Sequence, residues 1–232
     1  MKILLFIPTM GNIPTAMTTF LMKLNSQYKI EVMTTTRTLI HAARNLAIEK
    51  MIEGNFDYLV MLDDDNIPCY DNFVDVLIGN KVDVVSSIIR LRNRKEDLNI
   101  CFDHKIDGLT AYINYQNLDG IDTLEEIGNC GSGLVCLSRK VCYEMKKSYP
   151  RPFENKLTYY IQKITGEYIE FSPKVFSEAD FKTNSKGGLN IKFRELSEDY
   201  LFFERVKYLG YKVYADTRIT CSHIGPTELI KV

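Results

Sequence analysis

Three adjacent carboxylates, Asp63, Asp64 and Asp65, follow directly on the apolar run Tyr58-Leu59-Val60-Met61-Leu62. Neighbouring like charges repel, and carboxylates at the end of a buried strand lose hydration, so such a run suits holding a cation or hydrogen-bonding a ligand. In an extended segment Asp63 and Asp65 point to the same side, where one meets a ligand hydroxyl and the other a divalent cation. An acidic turn with solvated side chains, closed by Asn66 and Pro68, would leave the same letters.

Cationic chemistry has its own pattern. Arg37, His41 and Arg44 are spaced i, i+4, i+7 on one helix face, and no acid stands between Glu31 and Glu49 to neutralise them. An unpaired stripe of this kind suits a diphosphate, to which Arg gives bidentate contacts; a solvated helix face is the plainer alternative. Farther along, Ser197-Glu198-Asp199 opens a helix, where Ser caps and acids favour the macrodipole. One of those acids, within hydrogen-bond reach of a hydroxyl, would also serve as a general base. His223, in Cys221-Ser222-His223-Ile224-Gly225, is either a structural histidine at a strand end or the completing ligand of an oxygen-rich metal shell. For such a shell Mn²⁺ or Mg²⁺ is better suited than zinc.

The elements that must position these groups show in the hydrophobic pattern. Ile3 to Ile7 is an uninterrupted apolar run, the mark of a strand buried on both faces. Residues 36–53 read as a helix with Leu39, Ala43, Leu46 or Ala47 and Met51 on one side and Gly54 as its stop. Strand 58–62, a helix over 71–78 and a strand over 82–89 follow, an alternation that predicts a mainly parallel sheet covered by helices. Ligands of such sheets bind beyond the carboxyl ends of the strands, where Asp63 to Asp65 fall. Residues 91–127, with Gly108 and Gly120, suggest hairpins and loops; 131–137 is a strand led in by Gly131-Ser132-Gly133, and 139–147 a helix. Between 150 and 195, Phe153, Tyr159, Tyr160, Tyr168, Phe171, Phe176 and Phe181 mix with Lys186-Gly187-Gly188, which points to a lid or acceptor region. Those aromatics serve either an acceptor sugar or the core. The chain closes with a helix over 197–209, ended by Gly210, and extended pieces at 212–215 and 218–224.

Composition narrows the classes. A chain of 232 residues with 45% hydrophobic content builds one substantial core, which predicts a single domain over 1–232. Lys and Arg (29) nearly cancel Asp and Glu (30), so no global basic field exists to attract nucleic acid or an anionic membrane. Cysteines at 69, 101, 130, 136, 142 and 221 include no Cys-x-x-Cys pair, and only three histidines are available, which argues against zinc. They read as free thiols of a reducing compartment. The opening apolar run is cut at Pro8 without a cleavage site, and no stretch nears the roughly 20 apolar residues of a membrane span. A soluble, cytoplasmic protein is the expectation.

Taken together, the segments resemble the GT-A class of nucleotide-sugar glycosyltransferases, particularly inverting family 2. The resemblance is carried by Ile7-Pro8-Thr9, Ala43-Arg44-Asn45-Leu46-Ala47, Leu62 to Pro68, Gly131-Ser132-Gly133, Ser197 to Arg205 through Gly210-Tyr211, and His223-Ile224-Gly225. Only about 91–127 and 150–195 go unmatched.

The resemblance implies a GT-A, Rossmann-like sheet with a nucleotide-binding half (1–90) and an acceptor-binding half (91–232) that carries a lid within 150–195. It implies that Asp63 lies near the donor ribose or sugar, that Asp64 is structural or ribose-facing, and that Asp65 with Asp63 and His223 holds Mn²⁺ or Mg²⁺ on the diphosphate. Thr9 would face the nucleotide base, Arg44 together with Arg37 the donor, and Ser132 and Gly133 an acceptor or donor-sugar pocket. Asp199 would be the base and Glu198 its neighbour. The implied reaction moves a sugar from a nucleoside-diphosphate sugar to a hydroxyl of a carbohydrate or glycoconjugate acceptor, with inversion. The alternatives are a retaining transferase, a sugar-nucleotide-binding protein without catalysis, and a nucleotidyltransferase. The last would show a Gly-rich loop with Arg and Lys soon after the first strand; here no basic residue precedes Lys23 in that loop. The chain lacks the tryptophan that many such transferases place near the acceptor.

Overall fold

A computed structural model describes residues 1–91, 97–106, 109–118, 123–154, 156–162, 168–170, 190–224 and 229–230. In chain order the first elements are β1 (Lys2–Thr9), α1 (Thr15–Met22), β2 (Lys29–Thr36), α2 (Ile40–Glu53), β3 (Tyr58–Leu62), β4 (Asn66–Pro68) and α3 (Phe73–Gly79). Next come β5 (Val84–Ile89), β6 (Ile100–Ile106), β7 (Leu109–Asn114), β8 (Leu124–Ile127), β9 (Asn129–Cys130), β10 (Leu134–Ser138) and α4 (Arg139–Ser148). The remaining elements are β11 (Lys156–Gln162), β12 (Tyr168–Glu170), β13 (Asn190–Leu196), α5 (Glu198–Tyr208), β14 (Val213–Ile224) and β15 (Leu229–Ile230).

Among the described residues the continuous apolar runs build the centre of a nine-stranded sheet of order β15-β14-β5-β10-β3-β1-β2, with β4 and β8 also paired to β14. β1 runs parallel to β2 and β3, and β5 parallel to β14, while β10 lies antiparallel between β3 and β5. Strand residues alternate between two cores because successive side chains leave opposite faces. Leu4 and Phe6 join Ala43, Ala47 and Met51 of α2, Val141 and Met145 of α4, and Phe202, Phe203 and Val206 of α5. Ile3, Leu5 and Ile7 join Met17 and Phe20 of α1 and Phe73, Val74 and Leu77 of α3. Both faces are thus covered, which is why these strands lack the polar alternation of a half-exposed sheet. This is a mixed α/β, Rossmann-like, mainly parallel sheet flanked by helices, as the alternating pattern predicts. All six cysteines are unbridged, and among the described residues no helix is long and apolar enough to cross a membrane.

Several expectations need correction. The helix expected from residue 36 starts at Ile40, because Thr36 is the last residue of β2 and Arg37 takes a left-handed backbone, φ 53°. The two extended pieces at 212–215 and 218–224 form the single strand β14, whose register against β5 shifts between Ala215 and Thr220. The hairpins expected over 91–127 appear as the antiparallel pair β6 and β7, while Gly108 and Gly120 lie outside the described residues. Phe171, Phe176, Phe181, Lys186-Gly187-Gly188 and Gly225 also lie outside them, and with them most of the expected lid.

Candidate active site

The carboxyl ends of β1, β3 and β5 define one edge of the sheet, and antiparallel β10 begins at that same edge, with Leu134 opposite Leu62. Gly131-Ser132-Gly133 therefore lies beside the aspartates. The Asp63 N–H donates to the Gly133 carbonyl (2.9 Å), and the Asn66 N–H closes a tight turn on the Asp63 carbonyl (3.1 Å). Residues 63–65 are thus a turn and not an extended segment, so period-two alternation does not set the directions of Asp63 and Asp65. β4 leaves the turn and pairs with β14 so that Asn66 stands opposite His223, and the Ile224 N–H donates to the Asp65 carbonyl (2.7 Å). Backbone pairing alone brings Asp65 and His223 to one place.

Arg44 is the main departure from expectation. It sits on the buried face of α2 with 2% of its side chain exposed, and it is paired with three carboxylates. One terminal nitrogen donates to Glu198 (3.0 Å) and to Oδ1 of Asp199; the other donates to both oxygens of Asp63, at 3.2 and 3.4 Å. The cationic stripe is therefore not an unpaired face. Arg37 precedes the helix and is exposed, His41 is half-buried, and Arg44 is consumed by acids from segments far away in sequence.

The charges of this cluster are strongly perturbed. Burial would lower the affinity of Arg44 for its proton, but Asp199, Asp63 and Glu198 overcome that and raise it. Burial pushes the Asp63 carboxyl up to about 6, with Arg44 opposing and Asp199 and Asp65 adding to the rise. Glu198 is raised as well, by burial first and then by Asp199. An unfolded aspartate releases its proton near 3.8 and native Asp63 near 6, so in that window the native state binds more protons and stability falls as pH rises. We expect urea midpoints measured across that window to drop with pH, and Asp63→Asn to flatten the slope.

Other expected residues are placed as follows. Thr9 ends β1, buried, its hydroxyl accepting from the Gly11 N–H (3.3 Å) and its carbonyl from the Arg37 N–H (3.2 Å). Asp64 is half-buried in the turn. Ser132 is fully buried and its hydroxyl makes no hydrogen bond among the described residues. Gly133 is where chain meets chain: a Cβ there would lie 2.7 Å from Ile89 Cδ1 and 2.9 Å from Asn66 Nδ2. Gly133→Ala must therefore push Ile89 and Asn66 away from the aspartate turn. Its expected cost of about 1–3 kcal/mol is readable as a lower urea midpoint at unchanged slope.

Residues that carry no sequence signal complete the frame. Asn99, buried, donates to the Ser87 carbonyl (3.2 Å) and accepts from the Ile89 N–H (2.8 Å), while its carbonyl accepts from the Gly131 N–H (3.0 Å). Asn45 exchanges two hydrogen bonds with the backbone of Phe153, at 2.8 and 2.9 Å. The Phe153 ring is stacked on Phe202 with centroids 4.0 Å apart and planes within 2°, which makes this aromatic core and not acceptor surface. Arg205 donates to the carbonyls of Arg151 (2.8 Å) and Pro152 (2.9 Å) and pairs with Glu154, securing the same stretch.

The three-ligand metal set of Asp63, Asp65 and His223 is not assembled. Among the described residues no group of three or more His, Cys, Asp or Glu side chains is gathered for a metal, and Asp63 faces Arg44. The pair Asp65 and His223 fits a different kind of site, in which a hard cation takes one or two protein ligands and the rest from phosphate and water.

No protein-family model matches the chain, and no curated protein matches it in sequence. Its fold is similar to that of A197 from STIV, with a TM-score of 0.58 at 17% identity over 100% of this chain and 94% of that one. A weaker likeness, TM-score 0.41 at 10% identity over 94% of each chain, relates it to CMP:2-keto-3-deoxy-manno-octonic acid synthetase complexed with CTP. Mannose-1-phosphate geranyltransferase from Thermus thermophilus gives 0.40 at 10% identity over 66% of this chain and 62% of that one. The first comparison bears on fold alone, and the other two carry no weight.

Proposed function

We propose that this protein is a metal-dependent glycosyltransferase. It moves a sugar from a nucleoside-diphosphate sugar to a hydroxyl of a carbohydrate or glycoconjugate, with inversion. The observation that carries this reading is the convergence at one sheet edge of the aspartate turn, the Glu198-Asp199 helix start and the Asp65–His223 pair. A carboxylate that can accept a proton then lies beside groups suited to a donor diphosphate.

In the proposed reaction Asp199 takes the proton of the acceptor hydroxyl as its oxygen forms the new bond to the anomeric carbon. The sugar–phosphate bond breaks, and the leaving nucleoside diphosphate carries off the electron pair. Attack from the face opposite the diphosphate inverts the anomeric centre. Mn²⁺ or Mg²⁺ held by Asp65 and His223 would supply charge stabilisation to the diphosphate when bound. Thr9 would line the nucleotide end, and among the described residues exposed Arg37 and half-buried His41 on the same stretch would be donors for phosphate once Arg44 is engaged.

The test is a panel of nucleotide sugars with Mn²⁺, following nucleoside diphosphate release and the product anomer by proton NMR. Transfer with inversion is expected; release of pyrophosphate from a sugar phosphate and a nucleoside triphosphate would instead mark a nucleotidyltransferase. Thermal shift gives an independent check, because a ligand at about 100 times its Kd adds roughly 2.7 kcal/mol to the native state. Nucleoside diphosphate with Mn²⁺ should raise Tm, and Asp65→Ala should abolish the metal-dependent part. A shift indifferent to both metal and Asp65 would remove the cation from the proposal.

A further inference from the structure

We infer that Arg44 is a positioning residue for Asp199, which rests on the transferase reading above. Its guanidinium holds Oδ1 of Asp199 so that Oδ2 is left to face the acceptor beside Gly131.

The geometry supports this from both sides of the carboxylate. Oδ1 is bound by Arg44, and Oδ2 lies 4.0 Å from the point where a Cβ on Gly131 would stand. Gly131 has no side chain, so it does not fill the space before Oδ2 of Asp199. A carboxylate anchored at one oxygen and at its backbone has little freedom left. The backbone anchor is the start of α5, where the Tyr200 N–H donates to Ser197 Oγ (3.4 Å).

Arg44 is itself held firmly enough to serve as a reference. The next residue, Asn45, grips the Phe153 backbone, Phe153 stacks on Phe202 of α5, and the Arg44 guanidinium lies 5.7 Å from the Phe153 ring centroid. The helix that carries Arg44 and the helix whose first turn carries Asp199 are thus joined through one buried ring. Both terminal nitrogens of Arg44 already serve carboxylates, and the side chain is 2% exposed. A diphosphate would have to displace those acids to reach it, which argues against a direct donor contact. Asp63, at the head of the aspartate turn, shares the same planar group. The backbone of that turn is held independently, by the Gly133 carbonyl on the Asp63 N–H (2.9 Å) and by the Ile224 N–H on the Asp65 carbonyl (2.7 Å), so loss of the fork falls mainly on Asp199.

Lysine keeps the charge of arginine but not its planar fork, so Arg44→Lys tests orientation apart from charge. A misplacement of about 1 Å in a catalytic group costs on the order of 100-fold. Steady-state transfer by Arg44→Lys should show kcat lowered by about 10- to 100-fold. Donor KM and the Mn²⁺-dependent Tm shift with nucleoside diphosphate should be unchanged. A large rise in donor KM at unchanged kcat would overturn the inference and return Arg44 to the donor, as would an unchanged kcat. Should Arg44→Lys lose its cooperative unfolding transition, Gly131→Ala decides. Its methyl meets Asn99 Cβ at 3.8 Å and Asp199 Oδ2 at 4.0 Å, both ordinary contacts, so the fold is kept while the space before Oδ2 is reduced. A lowered kcat with unchanged donor KM in Gly131→Ala supports the assignment, and wild-type turnover refutes it. If the unaltered protein transfers no sugar from any donor, the transferase reading itself has failed, which is distinct from a wild type that transfers and variants that do not differ from it.

Discussion

Replacing Asp199 by Asn will lower transferase turnover by about 10²- to 10⁴-fold while leaving nucleotide-induced stabilisation in place. The substitution keeps the shape of the side chain and an oxygen for Arg44, but the amide cannot take a proton from the acceptor. Burst and steady-state measurements with the active donor would show the loss in the chemical step, and thermal shift with nucleoside diphosphate and Mn²⁺ would show the donor end intact. Near-normal turnover in Asp199→Asn would sink the base assignment. Glu198, on the same Arg44 nitrogen at 3.0 Å, would then be the group to examine.

Phe153→Ala is expected to be the most damaging single change to stability, costing about 3–5 kcal/mol. The ring is fully buried, stacked on Phe202, and bordered by the Arg44 guanidinium. Removing it leaves a void between α2 and α5, and the adjacent polar side chains are not free to fill it: Asn45 and Arg205 are both committed to backbone carbonyls of the same stretch. A urea titration should show a much lower midpoint at similar slope. A loss below about 1 kcal/mol would mean that the two helices close on the gap and that the stack contributes little.

The central strands were legible because burial on both faces writes itself as unbroken apolar runs. β1, β3, β5 and β10 are of this kind. β2 was not, since Lys29-Ile30-Glu31-Val32-Met33-Thr34-Thr35-Thr36 is an edge strand, half-exposed along much of its length. α1 escaped for a related reason: in Thr15–Met22 only Met17 and Phe20 are buried, and the threonines between them favour strand over helix. At the site, the aspartate run, Glu198-Asp199 and His223 could be picked out by residue type and spacing. The partners of Arg44 could not. Asp199 is 155 positions away, and local spacing rules reach one or two helical turns, so an arginine without a nearby acid in sequence is not an arginine without an acid. Nothing local marks the work of Asn99 and Asn45, because their side chains satisfy backbone groups of segments that meet only in the folded chain.

The position of β10 governs how this molecule can be divided. Residues 134–138 fill the gap between β3 and β5, so a fragment ending near residue 90 would contain β2, β1 and β3 as one ribbon and β5 with neither of its neighbours. The stretch 1–90 is therefore not a separable folding unit, because its strands need β10 and β14 to form one sheet. Pairings that wait for distant sequence must close long loops first and are slow to form. During synthesis, the aspartate turn would remain unbraced until Gly133 and β14 had emerged, leaving the exposed edges of β3 and β5 as the chain's most vulnerable surface for chaperones or for mispairing.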